Sequence, residues 1–337
     1  MKLTPGKLQG LKRVSDARGV IAAAAMDQRG SLRKSLAKEK GAEISDAMME
    51  EFKTIVSQVL TRYASAILLD PEWGLPAARA RNKNSGLLLA YEKTGYDKAE
   101  PGRLPDLLDL WSVRRLKDAG ADCIKILLYY TPFDPKPINE LKHAWVERIG
   151  DECRANDIPF FLELVGYEEG ADEKGLEYAR KKPQVVMQGM EEFANDRYGV
   201  DVLKVEVPVN MKFVEGTKVF KGQKAYTRKE AMELFRKSAE AARKPFIYLS
   251  AGVSNAEFTE TLELVAESDV KFAGVLCGRA TWADGVPVYA KQGAKAFEQW
   301  MNSEGVSNIQ NVNEKLKAAT AWYEMAGVAR EAALAGA

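Results

Sequence analysis

The sequence predicts an α/β protein, a closed (β/α)8 barrel, on three observations. Short apolar runs alternate with longer amphipathic stretches along nearly the whole chain of 337 residues. Eight such runs can be marked. Each is near-continuously apolar, the pattern of parallel strands buried on both faces rather than of antiparallel strands with a wet side. The runs are Val20–Met26, Ala66–Leu69, Gly86–Ala90, Asp122–Leu127, Pro159–Val165, Val202–Val207, Phe246–Leu249 and Gly274–Cys277.

The stretches between them read as helices. Ile44, Met48, Phe52, Ile55, Val56, Val59 and Tyr63 recur at three- and four-residue steps around a Ser45 cap. Asp106–Ala119 repeats the pattern, and Gly120 supplies the stop. Thr227-x-x-Glu230 and Ser254-x-x-Glu257 read as capping boxes that open two further helices. No Gly-x-Gly-x-x-Gly follows a strand and no phosphate loop ends in Gly-Lys-Ser/Thr, which weighs against a nucleotide-binding sheet. The expectation is a single barrel domain over 1–337, with a helical lead-in at 1–18 and one or two added helices in 304–337.

Composition narrows the function. The 49 basic and 48 acidic residues nearly cancel, so no electrostatic footprint points to nucleic acid or a membrane surface. The longest uncharged apolar run, Val20–Met26, is far too short to span a bilayer. The start Met1-Lys2-Leu3-Thr4-Pro5-Gly6 lacks the apolar core of a secretory signal. Cys123, Cys153 and Cys277 form no Cys-x-x-Cys and suit reduced thiols, so a cytoplasmic protein is expected. The one histidine, His143, lies in a helical stretch and reads as a helix-surface residue. Zinc lyases that use two or three imidazoles and serine hydrolases that need a histidine base are therefore disfavoured. Neither a metal nor a cofactor is expected.

In this fold the active site lies at the carboxyl ends of the strands. Strand one ends in Asp27-Gln28-Arg29-Gly30, strand two in Asp70-Pro71-Glu72, and strand three runs into Tyr91-Glu92-Lys93. Lys125, Glu163 and Lys204 sit inside apolar runs, where a charge is costly unless it is paired or serves chemistry. Lys204 and Glu206 share a face by strand alternation, so two lysines and two carboxylates are expected to converge in the interior. Such a group can be a buried ion-pair network that only holds the barrel together. It also fits an amine nucleophile. A lysine with a pKa of about 10.4 is neutral in only about 1 molecule in 2,500 at pH 7. Apolar flanks and a second ammonium both favour the neutral form. On that reading Lys204 is the nucleophile, Lys125 the second charge and Glu163 the proton carrier. Asp27 orients the ammonium or joins the relay, and Gln28 and Arg29 beside it are candidates for substrate contact.

A phosphate site is expected after strands seven and eight, where Ser250-Ala251-Gly252 and Gly278-Arg279-Ala280 fall. Gly252 and Gly278 let backbone N–H groups approach an anion, Ser250 adds a hydroxyl, and Arg279 can grip phosphate bidentately. Arg79, Arg81 and Lys83 form a further basic cluster, either a solvated loop face or a distal phosphate site.

With these residues in view, the chain resembles the class I, LacD-type tagatose 1,6-bisphosphate aldolase family over roughly 10–325. The resemblance is carried by Met26-Asp27-Gln28-Arg29-Gly30, Ile67–Pro76, Leu88–Tyr96, Asp201–Asn210, Tyr248–Val253 and Gly274–Trp282. It implies a metal-free lyase that cleaves tagatose 1,6-bisphosphate to dihydroxyacetone phosphate and glyceraldehyde 3-phosphate. It matches Lys204 to the imine lysine, Glu163 to the acid/base, Asp27 and Lys125 to the supporting charges, and Ser250 and Arg279 to the C1 phosphate. The chain departs from that pattern at Leu164-Val165-Gly166-Tyr167, in its Ala-rich first strand and in its long C-terminal segment. Fructose 1,6-bisphosphate, a ketose 1-phosphate and sulfofructose 1-phosphate stay open as substrates. A metal-dependent sugar-phosphate isomerase or epimerase and a non-catalytic sugar-phosphate sensor are the competing classes. A homo-oligomer is expected, with closed symmetry.

Overall fold

The computed structural model describes residues 3–93 and 100–334. Met1 and Lys2 of the lead-in, Thr94-Gly95-Tyr96 of the third matching stretch, and 335–337 lie outside the described residues. The barrel strands are β1 Ile21–Met26, β2 Ala66–Leu69, β3 Gly86–Ala90, β4 Cys123–Tyr130, β5 Phe160–Gly166, β6 Val202–Val205, β7 Phe246–Leu249 and β8 Gly274–Cys277. All neighbours pair in parallel, and β8 returns to β1 to close the ring. Four strands keep the bounds their apolar runs predict. β4 and β5 run on together, because Leu128, Tyr129 and Tyr130 stay in register with Leu164, Val165 and Gly166. β6 stops at Val205 rather than Val207, so Glu206 and Val207 lie past its end, ahead of Pro208.

Alternation along each strand divides the apolar side chains between two cores. Ala24, Met26, Ile67, Leu89, Ile126, Leu162 and Leu203 face the surrounding helices. Ala23, Ala25, Leu68, Leu88, Ala90, Cys123, Phe161, Val202 and Ile247 face inward. The inward set continues into Leu11 and Val14 of the helix Pro5–Val14 and into Ala321, Trp322 and Tyr323 near the other end of the chain. These two segments close the N-terminal end of the barrel, with Trp322 fully buried and its backbone N–H on Gly19 O at 2.9 Å. Gly274 opens β8 at φ +133°, where a Cβ would lie 2.0 Å from Ile21 O, so only glycine lets β8 lie against β1 there. The C-terminal segment carries the helix Val306–Lys315 and two short ones, Trp322–Met325 and Arg330–Leu334.

The helix starts follow their caps, with two corrections. Ser45 accepts from Met48 N ahead of the helix Asp46–Leu60, and Thr227 and Glu230 form a full capping box. At Ser254 only half the box forms, since the Glu257 carboxylate faces Lys212 at 3.7 Å instead. The helix expected over Asp106–Ala119 covers only Val113–Asp118 behind a Ser112 cap. Residues 106–108 are taken by the segment after β3, through Lys93 N to Asp106 O at 2.9 Å and Leu108 N to Tyr91 O at 3.0 Å. His143 is not a surface residue. It lies on the buried stripe of the helix Lys136–Ala155, with its ring among Tyr130, Phe193 and Tyr198. Among the described residues no helix is long and apolar enough to cross a membrane.

Candidate active site

The inward alternation that fills the lower barrel with apolar groups delivers charged ones two residues later. Ala25 is followed in phase by Asp27, Ala90 by Glu92, Cys123 by Lys125, Phe161 by Glu163 and Val202 by Lys204. Lys125 and Lys204, expected to face one another across the interior, do so through Glu163. One oxygen of that carboxylate lies 2.7 Å from Lys125 Nζ and 2.9 Å from Lys204 Nζ. Lys125 also reaches Asp27 Oδ2 at 2.8 Å and Glu92 Oε1 at 3.0 Å. All five groups are buried or nearly so, with Lys125 fully enclosed.

The electrostatics follow from that enclosure. Burial disfavours the Lys125 ammonium, but Asp27, Glu163 and Glu92 outweigh it and hold its pKa well above the ordinary value. Burial likewise opposes ionisation of Asp27, yet Lys125 and Lys204 hold its carboxyl below the usual range. For Glu92 burial prevails over Lys125 and Arg29, and its pKa is raised. A fixed cation at Lys125 thus stands beside a fixed anion at Asp27. Glu92 Oε2 is buried without a hydrogen-bond partner.

Glu92 was not singled out by the sequence, although the β3 phase Leu88, Ala90, Glu92 points to it. Glu206 is the reverse case. Strand alternation predicts that it converges with Lys204, but it lies past the end of β6, where its carboxylate takes Gly166 N at 2.8 Å and Lys182 Nζ at 3.0 Å. Gln28 is half-buried with an unpartnered Oε1. Arg29 is buried and engaged, with Nη1 3.0 Å from Glu72 Oε2 and Nη2 donating to Glu92 O at 2.8 Å. It thereby ties together the segments that follow β1, β2 and β3.

The loops after β7 and β8, where a phosphate site is expected, lie against one another. Ala251 and Gly252 are successive left-handed residues, at φ +49° and +77°. A Cβ on Gly252 would lie 2.5 Å from Arg279 Cζ, so the backbone passes directly against the guanidinium. Ser250 is buried beside the Cys277 thiol, whose pKa burial pushes up to about 12 against the Ser250 hydrogen bond and the Lys204 charge. Gly278 adjoins the Gln28 amide, and exposed Arg279 lines a cleft of about 270 Å³ with Gln28, Ser31, Ser35 and Trp282. The Arg79, Arg81 and Lys83 cluster is elsewhere. Arg81 and Lys83 follow the helix Leu75–Ala80 and precede β3, so they lie at its N-terminal end. There Lys83 O accepts from Arg13 at 3.2 Å, beside the helix that closes the barrel. The turn needed to bring the chain back to β3 accounts for this, and no distal phosphate site forms there.

Fold and site together define a barrel built around paired lysines and a shared carboxylate. A model of the DeoC/LacD family aldolases matches residues 21–284. The tagatose 1,6-diphosphate aldolase of Listeria monocytogenes is 50% identical over 329 residues, 97% of this chain and 96% of that protein. Tagatose 1,6-diphosphate aldolase 2 of Enterococcus faecalis is 52% identical over 325 residues, 96% of this chain and 97% of that one. The chain belongs to the DeoC/LacD aldolase family and is a carbon–carbon lyase. Among solved structures, a Plasmodium falciparum fructose-bisphosphate aldolase shares the fold at a TM-score of 0.65 and 16% identity, covering 94% of this chain and 96% of its own. A Schiff-base-forming fructose-1,6-bisphosphate aldolase does so at 0.55 and 12%, covering 89% of this chain and 98% of its own.

Proposed function

We propose that the protein is a class I aldolase that cleaves tagatose 1,6-bisphosphate to dihydroxyacetone phosphate and glyceraldehyde 3-phosphate through an imine on Lys204. The observation that carries this reading is the single Glu163 oxygen held between the Lys125 and Lys204 ammonium groups, at 2.7 and 2.9 Å. The curated relatives that bear the tagatose 1,6-diphosphate aldolase name support the choice of ketose.

The steps follow from the positions. Lys204 gives a proton to Glu163, and its free amine attacks the C2 carbonyl of the open-chain ketose. Glu163 returns the proton to the carbinolamine hydroxyl, which leaves as water and creates the iminium. A carboxylate then takes the proton of the C4 hydroxyl, and the C3–C4 bond breaks. Its electron pair is drawn into the iminium to leave an enamine, and the aldehyde product departs. Protonation at C3 and hydrolysis of the imine release dihydroxyacetone phosphate and restore the amine. Lys125 remains charged throughout, balanced by Asp27, and so keeps Glu163 in place as it gains and loses its proton. Ser250, Gly252, Gly278 and Arg279 would hold the C1 phosphate, with Gln28 at the substrate's flank. Arg29 would act indirectly, by holding Glu92.

The same reading takes 1–337 as one catalytic domain in a cytoplasmic homo-oligomer. Three buried thiols without a disulfide, Cys123, Cys153 and Cys277, suit a reducing compartment. A sedimentation experiment checks the assembly.

A substrate panel tests the function. Purified protein is given tagatose 1,6-bisphosphate, fructose 1,6-bisphosphate and sulfofructose 1-phosphate, with and without a chelator, and triose phosphate release is followed. Cleavage of tagatose 1,6-bisphosphate that EDTA leaves unchanged is the expected result. Binding without turnover would favour a sensor, and loss of activity with EDTA would favour metal-dependent chemistry.

A further inference from the structure

One buried ion pair at the carboxyl end of the barrel takes no part in these steps. Lys53, from the helix Asp46–Leu60, and Asp70, which follows β2, are both fully buried, with Nζ 2.6 Å from Oδ2. The same ammonium donates to Met26 O at 2.8 Å and to Gln28 O at 2.8 Å. Its three N–H donors are therefore all engaged, each by a different acceptor. The second Asp70 oxygen accepts the N–H groups of Glu72 at 3.0 Å and Trp73 at 2.8 Å.

A pair this deep loses so much hydration that apolar residues of similar volume often hold a fold equally well. The pair does something that apolar residues cannot. The β1–β2 register ends at Met26 and Leu69, so the Gln28 carbonyl lies beyond the paired part of β1 and needs a partner from elsewhere. Lys53 grips the carbonyls on either side of Asp27. Just before them, Trp282 Nε1 donates to Ala25 O at 2.9 Å. Three carbonyls around one carboxylate are thus fixed by side chains from two different helices. Asp27 in turn is 2.8 Å from Lys125, which holds Glu163.

We propose that Lys53, held by Asp70, is a positioning residue that sets the backbone of Asp27 and Gln28 for the reaction. The proposal rests on the reading of Asp27 as part of the aldolase site. Without the ammonium the Met26–Asp27 and Gln28–Arg29 peptide planes lose their anchor, and the Asp27–Lys125–Glu163–Lys204 chain loses its fixed end.

The test compares wild type with Lys53→Met, Lys53→Gln and Asp70→Asn. Far-UV circular dichroism and thermal melts establish the folded fraction, and kcat, KM and the rate of borohydride trapping with dihydroxyacetone phosphate are measured on it. Lys53→Met should lower kcat on the order of 10²-fold, the cost of displacing a reacting group by about 1 Å, with a smaller change in KM. Lys53→Gln keeps donors for the carbonyls and should recover part of that loss. Asp70→Asn keeps its acceptor for Glu72 and Trp73 and should lose less than Lys53→Met. If Lys53→Met does not fold, the order wild type, Asp70→Asn, Lys53→Gln in kcat carries the same test. Folded variants with lower melting temperatures but wild-type kcat, KM and trapping rate would overturn the positioning role. A wild type that dihydroxyacetone phosphate and borohydride do not label would instead overturn the aldolase reading beneath it.

Discussion

At the two ends of the barrel the same strands turn the same phase of side chains inward, with opposite chemistry. At the N-terminal end Leu68, Leu88, Cys123, Phe161, Val202 and Ile247 meet Leu11, Val14 and Trp322 in a closed apolar plug. Two residues further along, the strands present Lys125, Glu163 and Lys204. Both ends also hold a buried lysine–carboxylate contact, but of different kinds. Near the plug, Lys7 pairs with Asp201 at 2.7 Å, and the same Asp201 oxygen takes Phe160 N at 2.9 Å. That pair joins the helix Pro5–Val14 to the start of β6, and its charges balance one to one. At the mouth one carboxylate oxygen is shared by two ammonium groups, and Glu92 Oε2, Arg29 Nε and Gln28 Oε1 are buried without partners. Polar groups left unsatisfied in a buried place are costly, and these three adjoin the charged cluster at the mouth.

Variants at the two ends should therefore fail in different ways. Lys204→Met removes the proposed nucleophile and should lower kcat for ketose cleavage on the order of 10⁴-fold or more, with an unchanged melting temperature. A coupled triose phosphate assay beside a thermal melt separates the two. Glu163→Gln keeps the shape but not the proposed proton transfer, and a loss of about 10²- to 10⁴-fold is expected in the same assay. Asp201→Asn should do the opposite. It leaves the Lys7 ammonium buried beside a neutral partner and should cost about 3 kcal/mol of stability in denaturant unfolding, with kcat per folded molecule unchanged. A kcat loss in Asp201→Asn comparable to that in Glu163→Gln would erase the distinction between the ends.

The smallest effect concerns His143, packed outside the barrel. Burial, opposed by Glu192 and Glu140, lowers its pKa below the ordinary 6.5. The unfolded chain therefore binds the proton more readily than the native one. Stability from this group is present above pH 6.5 and is lost as pH falls through the lowered native value. His143→Phe should flatten the pH dependence of unfolding between about pH 5 and 7.

The barrel and most of the candidate site were legible in the sequence because strand phase is a local property. Lys125, Glu163 and Lys204 interrupt apolar runs, and their common inward direction follows from alternation alone. What the sequence did not reveal depends on where elements stop. Glu206 continues the Lys204 phase on paper, but β6 ends at Val205 and releases it to Gly166 and Lys182. Glu92 lies past the end of β3, where no apolar run flags a charge as out of place. The Asp106–Ala119 pattern is helical in period, yet backbone pairing with the segment after β3 claims its first residues. Arg81 and Lys83 look like a loop beside the mouth until the intervening helix is seen to carry them to the other end. His143 shows the same limit on a helix, since only packing decides which stripe faces in.

Imine formation on Lys204 can be trapped covalently. The protein is mixed with dihydroxyacetone phosphate, reduced with borohydride and mapped by peptide mass spectrometry. A stable secondary amine on Lys204 alone, absent from Lys204→Met, is the expected result. A label on Lys125 would exchange the roles of the two lysines. Cleavage that proceeds with no lysine labelled would contradict imine catalysis altogether.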